Sequence, residues 1–278
     1  MATKAKTTTK KRATASAKKT TRSAAAAAPK TTVRAQAAKK GSFAAWVGSS
    51  QTVFKPKTAL GTLLAEFVGT FVLASLFIVG KGNLLYILFG MVGVTYAGLR
   101  LSGSHFNPAI SLAAWATRRM SAWRLLGYIV AQVLGAMLAL LVAHGLLPAQ
   151  PSDVTSALQG GASVYQLEAL TKDKEWYLFF AQMLGTAIFA YAFASTWDGF
   201  RNHTSRVLAI SFGFFAGLAI TAQFAVLNPA VAVALGGVKW EVWPLAVYLA
   251  APAIGAIVGA GLHKLFAADV AATDPDVL

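Results

Sequence analysis

A chain of 278 residues that is 56% apolar, carries a net charge of +15 and contains no cysteine fits one membrane domain with a soluble appendage better than a soluble enzyme. The lack of cysteine leaves the compartment open. Twelve of the 25 Lys and Arg fall within the first 40 residues, which hold no acid, so most of the excess charge belongs to a tail.

Residues 1–41 are Ala, Thr, Ser and Lys with hardly an aliphatic side chain larger than Ala. That is too little apolar surface to offset the entropy of ordering, which predicts a disordered basic cytoplasmic tail. No apolar core follows the charges before the first span, so it is not read as a signal peptide. Its composition resembles a linker-histone tail, which leaves nucleic acid or anionic lipid open as partners. A solvated tail that helps set topology is the plainer reading. Residues 42–57, with Phe43, Trp46, Val47 and Phe54, predict an interfacial segment lying on the membrane.

Six long apolar runs follow, at about 58–79, 84–101, 122–145, 176–197, 207–225 and 243–266, each long enough to predict a span. After the second run stands Asn107-Pro108-Ala109, and after the fifth Asn228-Pro229-Ala230. In each, Asn can cap a helix and Pro fits the first helical position, where no amide hydrogen is missed. The apolar run after Asn107 ends at Arg118 and Arg119, about ten residues on, against the roughly 20 that a crossing needs. It is therefore read as a half-crossing helix. Trp123, Tyr128, Gly135 and Ala136 recur 120 positions later as Trp243, Tyr248, Gly255 and Ala256, and the two motif asparagines lie 121 apart, so the chain contains an internal repeat. Three spans per repeat is odd, which inverts the second copy and puts the half-helices on opposite membrane faces. The prediction is an all-α membrane protein with six transmembrane helices and two half-helices in an inverted repeat. Its channel domain runs over 58–266, with repeats at about 58–145 and 176–266, and a C-terminal tail at 267–278.

Non-helical backbone at membrane depth survives only where it is buried in protein or lines a wet cavity, so two capped helix starts at midplane imply a water-filled path. The facing N-termini would repel cations. The amides of Asn107 and Asn228 would donate to a passing oxygen and interrupt proton hopping. The tail, Arg100, Arg118, Arg119, Arg124, Arg201 and Arg206 share one side, while the 146–175 connection holds Asp153, Glu168, Asp173 and Glu175 against two lysines. That places both termini in the cytoplasm. Gly69, Gly135, Gly185, Gly255 and Gly259 sit mid-span and mark close helix contacts. Glu66 is the only acid inside a span, and its repeat equivalent is Gln182. No Ser-His-Asp set, phosphate loop or paired carboxylates stands in a workable context, and His144, His203 and His263 are isolated. No catalytic residue, metal or cofactor is predicted.

Ala65-Glu66-Phe67-Val68-Gly69-Thr70, Ser102-Gly103-Ser104-His105-Phe106-Asn107-Pro108-Ala109, Ala131-Gln132-Val133-Leu134-Gly135-Ala136 and Asn228-Pro229-Ala230 together are specific. Over roughly residues 58–266 the sequence resembles the major intrinsic proteins, the aquaporins and glycerol facilitators. The resemblance implies a passive plasma-membrane channel for water or small uncharged solutes, with glycerol, ammonia, carbon dioxide and peroxide all conceivable, assembled as a homotetramer with one pore per subunit. It implies that Glu66 braces the non-helical backbone, with Gln182 as its counterpart, and that His105 is a buried packing residue. One position departs: where most relatives carry Arg after the second motif, this chain has Val231. The family pattern puts the exterior constriction at Phe89, Ala225, Val231 and a fifth-span residue near Ile220. Loss of the Arg then predicts a greasier, wider opening. The alternative is a non-conducting structural membrane protein, or a tether whose tail binds nucleic acid or anionic lipid.

Overall fold

The computed structural model describes residues 56–146, 165, 167, 170–199, 202–221 and 225–273, and these are helical wherever they are regular. The helices are α1 (Pro56–Val79), α2 (Leu84–Gly98), α3 (Pro108–Ala116), α4 (Ala122–Leu146), α5 (Glu175–Asp198), α6 (His203–Ile220), α7 (Pro229–Ala234) and α8 (Val242–Thr273). Five are long and apolar enough to cross a membrane, and α2 is a shorter apolar helix of 15 residues, about 22 Å at 1.5 Å per residue. The predicted tail at 1–41 and nearly all of the interfacial segment at 42–57 lie outside the described residues.

The packing repeats. Helix α1 lies along α4 as α5 lies along α8, and α2 sits against α1 as α6 sits against α5. Lipid is as apolar as a helix surface, so close backbone approach has to supply the adhesion that hydrophobicity supplies in water. Two glycines permit it at matching places: a Cβ on Gly135 would collide with the Phe67 carbonyl of α1, and one on Gly255 with the Met183 carbonyl of α5. Leu64, Val68, Leu126, Val130 and Leu134 point outward and are exposed, as an acyl-chain boundary requires. The half-helices cross over between repeats: α3 rests against α8, and α7 against α4.

Several boundaries differ from the hydropathy runs, each for a local reason. The second run continues to 101, but α2 stops at Gly98 because the chain turns through left-handed backbone at Gly103 and Ser104, with φ of 93° and 53°. Half-helix α7 has only six residues against nine in α3. It is closed by Gly236 at φ 73° and by the Gly237 N–H donating to the Ala232 carbonyl at 2.9 Å, a glycine-terminated end. The last helix runs on to Thr273, well into the segment predicted as a C-terminal tail, and contains a π turn at Ala246–Ala250. Pro252 has no N–H and crowds the carbonyl four residues back, which the wider turn relieves. At the end of α3, Arg119 pairs with Asp198 and lies 5.0 Å over the Trp197 ring, tying the first half-helix to the end of α5.

Candidate functional site

The two motifs fold as their residues dictate. Asn107 and Asn228 are both extended, with φ, ψ of −156°, 120° and −140°, 107°, and each is followed by Pro at the start of its helix. The Asn107 side-chain oxygen accepts from the Ala109 N–H at 2.8 Å, and that of Asn228 from the Ala230 N–H at 3.0 Å. Each thereby satisfies a donor that the helix start leaves open. The amide nitrogens reach across the repeat boundary: Asn107 Nδ2 donates to the Leu227 carbonyl at 2.7 Å, and Asn228 Nδ2 to the Phe106 carbonyl at 2.8 Å. The motifs are thus tied crosswise, each asparagine bonding the residue that precedes the other. A side-chain amide carries two hydrogens. Among the described residues only one acceptor meets each, which leaves a second donor per asparagine at this centre.

Phe106 and Leu227 have φ of 47° and 58°, left-handed backbone that costs a bulky residue about 1–3 kcal/mol. The brace is the same in both repeats. Glu66 accepts from the His105 N–H at 3.1 Å and the Phe106 N–H at 2.7 Å. Gln182 Oε1 accepts from the Val226 N–H at 3.2 Å and the Leu227 N–H at 2.9 Å. One turn further along, the Thr70 and Thr186 hydroxyls donate to the carbonyls of Glu66 and Gln182. The repeats part company beyond that. In the first, Gln132 Nε2 donates to Glu66 at 2.7 Å and to the Ser111 hydroxyl at 3.0 Å, and Ser111 Oγ lies 3.1 Å from His105 Nδ1. The equivalent of Gln132 in the second repeat is Pro252, and Gln182 Nε2 finds no partner among the described residues. His105 itself is buried edge-on against the rings of Tyr128 and Phe193, both at 5.3 Å. Gln132 and Ser111 complete the brace without having been singled out. A Gln one turn before the Gly135 contact, on the buried face of α4, was the available signal.

Between α2 and α6 lies a cavity of ≈ 10 Å³, about the least that admits one water. Its walls include Ile87 from α2, Leu218 from α6, and Ala225 and Val226 on the approach to the second motif, with Tyr165 and Leu167 of the inter-repeat connection also lining it. Of the residues expected at a constriction, only Ala225 lines it. Phe89 and Ile220 are 72% and 62% exposed and point away, which corrects that expectation. On α2 the buried face is Ile87, Met91, Thr95 and Gly98, and Phe89 stands about 200° round the helix from Ile87. On α6 the inward residue is Leu218, two positions before Ile220. Val231 is fully buried and packs in the core, and it is not among the residues lining this cavity.

A family model described as major intrinsic protein matches residues 53–263. The chain belongs to the major intrinsic protein family. Among its relatives are a "Glycerol uptake facilitator protein-like 6" of Lactiplantibacillus plantarum, 31% identical over 71% of this chain and 94% of that one. Another is an "Aquaporin Z" of Photorhabdus laumondii, 29% identical over 76% of this chain and 99% of that one. The solved aquaglyceroporin from Plasmodium falciparum superposes with a TM-score of 0.59 at 16% identity, covering 77% of this chain and 99% of that one, a likeness of fold.

Proposed function

We propose that the chain is a passive channel for water and small uncharged solutes, whose path runs beside Asn107 and Asn228. The observation that carries this reading is the crosswise pair of asparagine caps. It holds two helix starts together at the centre of the domain and leaves one amide hydrogen on each asparagine for a passing oxygen. A solute with a lone pair can accept from both in turn. A cation meets two helix N-termini and is repelled. The Glu66 and Gln182 braces keep the Phe106 and Leu227 carbonyls turned toward the asparagines, which fixes the donors without any movement during passage. The exterior narrowing is assigned to Ile87, Leu218, Ala225, Val226 and Tyr165.

The wider setting follows from the family and the charge pattern. The channel is assembled as a homotetramer in the plasma membrane with both termini in the cytoplasm. Proteoliposomes shrinking in a stopped-flow instrument under a sorbitol gradient and then a glycerol gradient test the central reading. A water permeability well above that of empty vesicles, with a low activation energy, is expected. Equality with empty vesicles for water and for every neutral solute would leave the non-conducting alternative standing.

A further inference from the structure

The exterior cavity is lined by main-chain polar atoms and by described side chains that are almost all apolar. Among the described residues, the side chains that α1, α2, α6 and the approach to the second motif contribute are hydrocarbon, and Tyr165 is the one lining residue whose side chain carries a heteroatom. That ring is seated, not merely nearby. A Cβ on Gly82, in the turn between α1 and α2, would lie 3.3 Å from the Tyr165 oxygen, and Gly82 has φ of 74°, so this turn makes room for the phenol as only glycine can. Two residues on, the Leu167 N–H donates to the Leu235 carbonyl at 3.0 Å, just past α7. Tyr165 therefore meets the α1–α2 turn of the first repeat, and Leu167 the half-helix end of the second.

On the reading that the chain conducts neutral solutes, we propose that Tyr165 is the specificity-determining residue of its exterior constriction. The phenol supplies the side-chain hydrogen bond that the aliphatic walls lack, and the ring restricts passage to neutral solutes about the size of one water. A phenol has one hydrogen to give and two lone pairs to receive with, so it serves water or ammonia whatever else it bonds. A polyol needs several partners at once and more room than ≈ 10 Å³. Entering, it would leave hydroxyls unpaired against Ile87 and Leu218, a desolvation that aliphatic walls do not repay.

Two substitutions separate the hydroxyl from the ring. In proteoliposomes of matched protein content, Tyr165→Phe should lower water permeability about three- to tenfold, the value of one hydrogen bond at the barrier, while glycerol permeability stays at the parent level. Tyr165→Ala should raise glycerol permeability about tenfold or more and collapse the water-to-glycerol ratio. A residue that only held the loop in place would show the two variants moving together. If the parent conducts and both variants, correctly assembled, keep its water permeability and its water-to-glycerol ratio, the assignment of Tyr165 is overturned while the channel reading stands. If the parent and both variants match empty vesicles, the channel reading falls and the assignment with it.

Discussion

Replacing Glu66 by Leu and, separately, by Gln distinguishes a brace that works through its oxygens from one that works through its charge. Glu66 receives the His105 and Phe106 main-chain N–H groups and Gln132 Nε2 at 3.1, 2.7 and 2.7 Å. Leucine leaves the two main-chain donors buried without an acceptor, at about 1–3 kcal/mol each, and costs Gln132 Nε2 one of its two bonds, the one to Ser111 remaining, at about 1 kcal/mol. The sum of roughly 3–7 kcal/mol is reduced by no longer burying a carboxylate. It also releases the left-handed backbone at Phe106, whose carbonyl orients Asn228. Glutamine keeps one oxygen. Gln182 already holds both corresponding amides with a single Oε1, so Glu66→Gln need lose little more than its bond from Gln132, about 1 kcal/mol. Turning Gln132 over would present its unpartnered Oε1 to the new amide. At about 2–4 °C per kcal/mol for a chain of this size, Glu66→Leu should unfold about 10 °C or more below the parent in detergent and conduct little. Glu66→Gln should fall within about 5 °C and keep most of the water permeability. Thermal unfolding followed by dye binding, with stopped-flow on the same preparations, reads both. A Glu66→Leu protein as stable and permeable as the parent, or a Glu66→Gln protein as damaged as Glu66→Leu, would refute the reasoning.

Asn107→Asp keeps the cap on Ala109 but loses the donor to the Leu227 carbonyl and sets a carboxylate against it; water permeability should drop at least severalfold and a cation leak should appear, read with a pH-sensitive dye under a potassium gradient. Ile87→Ala and Leu218→Ala should each raise glycerol permeability severalfold, whereas Phe89→Ala and Ile220→Ala, on the outward faces, should leave it within experimental scatter. Gly255→Val should prevent correct assembly, because its side chain would enter the Met183 carbonyl of α5 in a helix pair held by close approach; size-exclusion profiles of the solubilised protein check this. Deleting residues 2–40 should leave water permeability unchanged and abolish salt-sensitive binding to DNA or to anionic vesicles.

What the sequence determined by itself is whatever local chemistry and the internal repeat encode. Asn before Pro at Asn107 and Asn228 specifies a capped helix start from the properties of two residues. The recurrence of Trp123, Tyr128, Gly135 and Ala136 gives the inverted arrangement by counting, and a lone buried acid at Glu66 with a matching Gln182 marks the brace because an uncompensated polar group in a span is costly. Which way the spans face was not there to be read. In a soluble helix water separates the apolar face from the polar one, but a helix in lipid is apolar all round. Ile87 and Phe89 are therefore equally plausible wall residues until α6 and the second motif are packed against α2 and one of them is turned inward. Tyr165 lies outside every span, yet it lines the cavity between α2 and α6, beside a Leu167 that is hydrogen-bonded to Leu235, 68 residues away in the sequence. The crosswise bonds from Asn107 to Leu227 and from Asn228 to Phe106 likewise exist only once the two repeats meet, because each asparagine caps its own helix by local rules but finds its second partner in the other half of the chain.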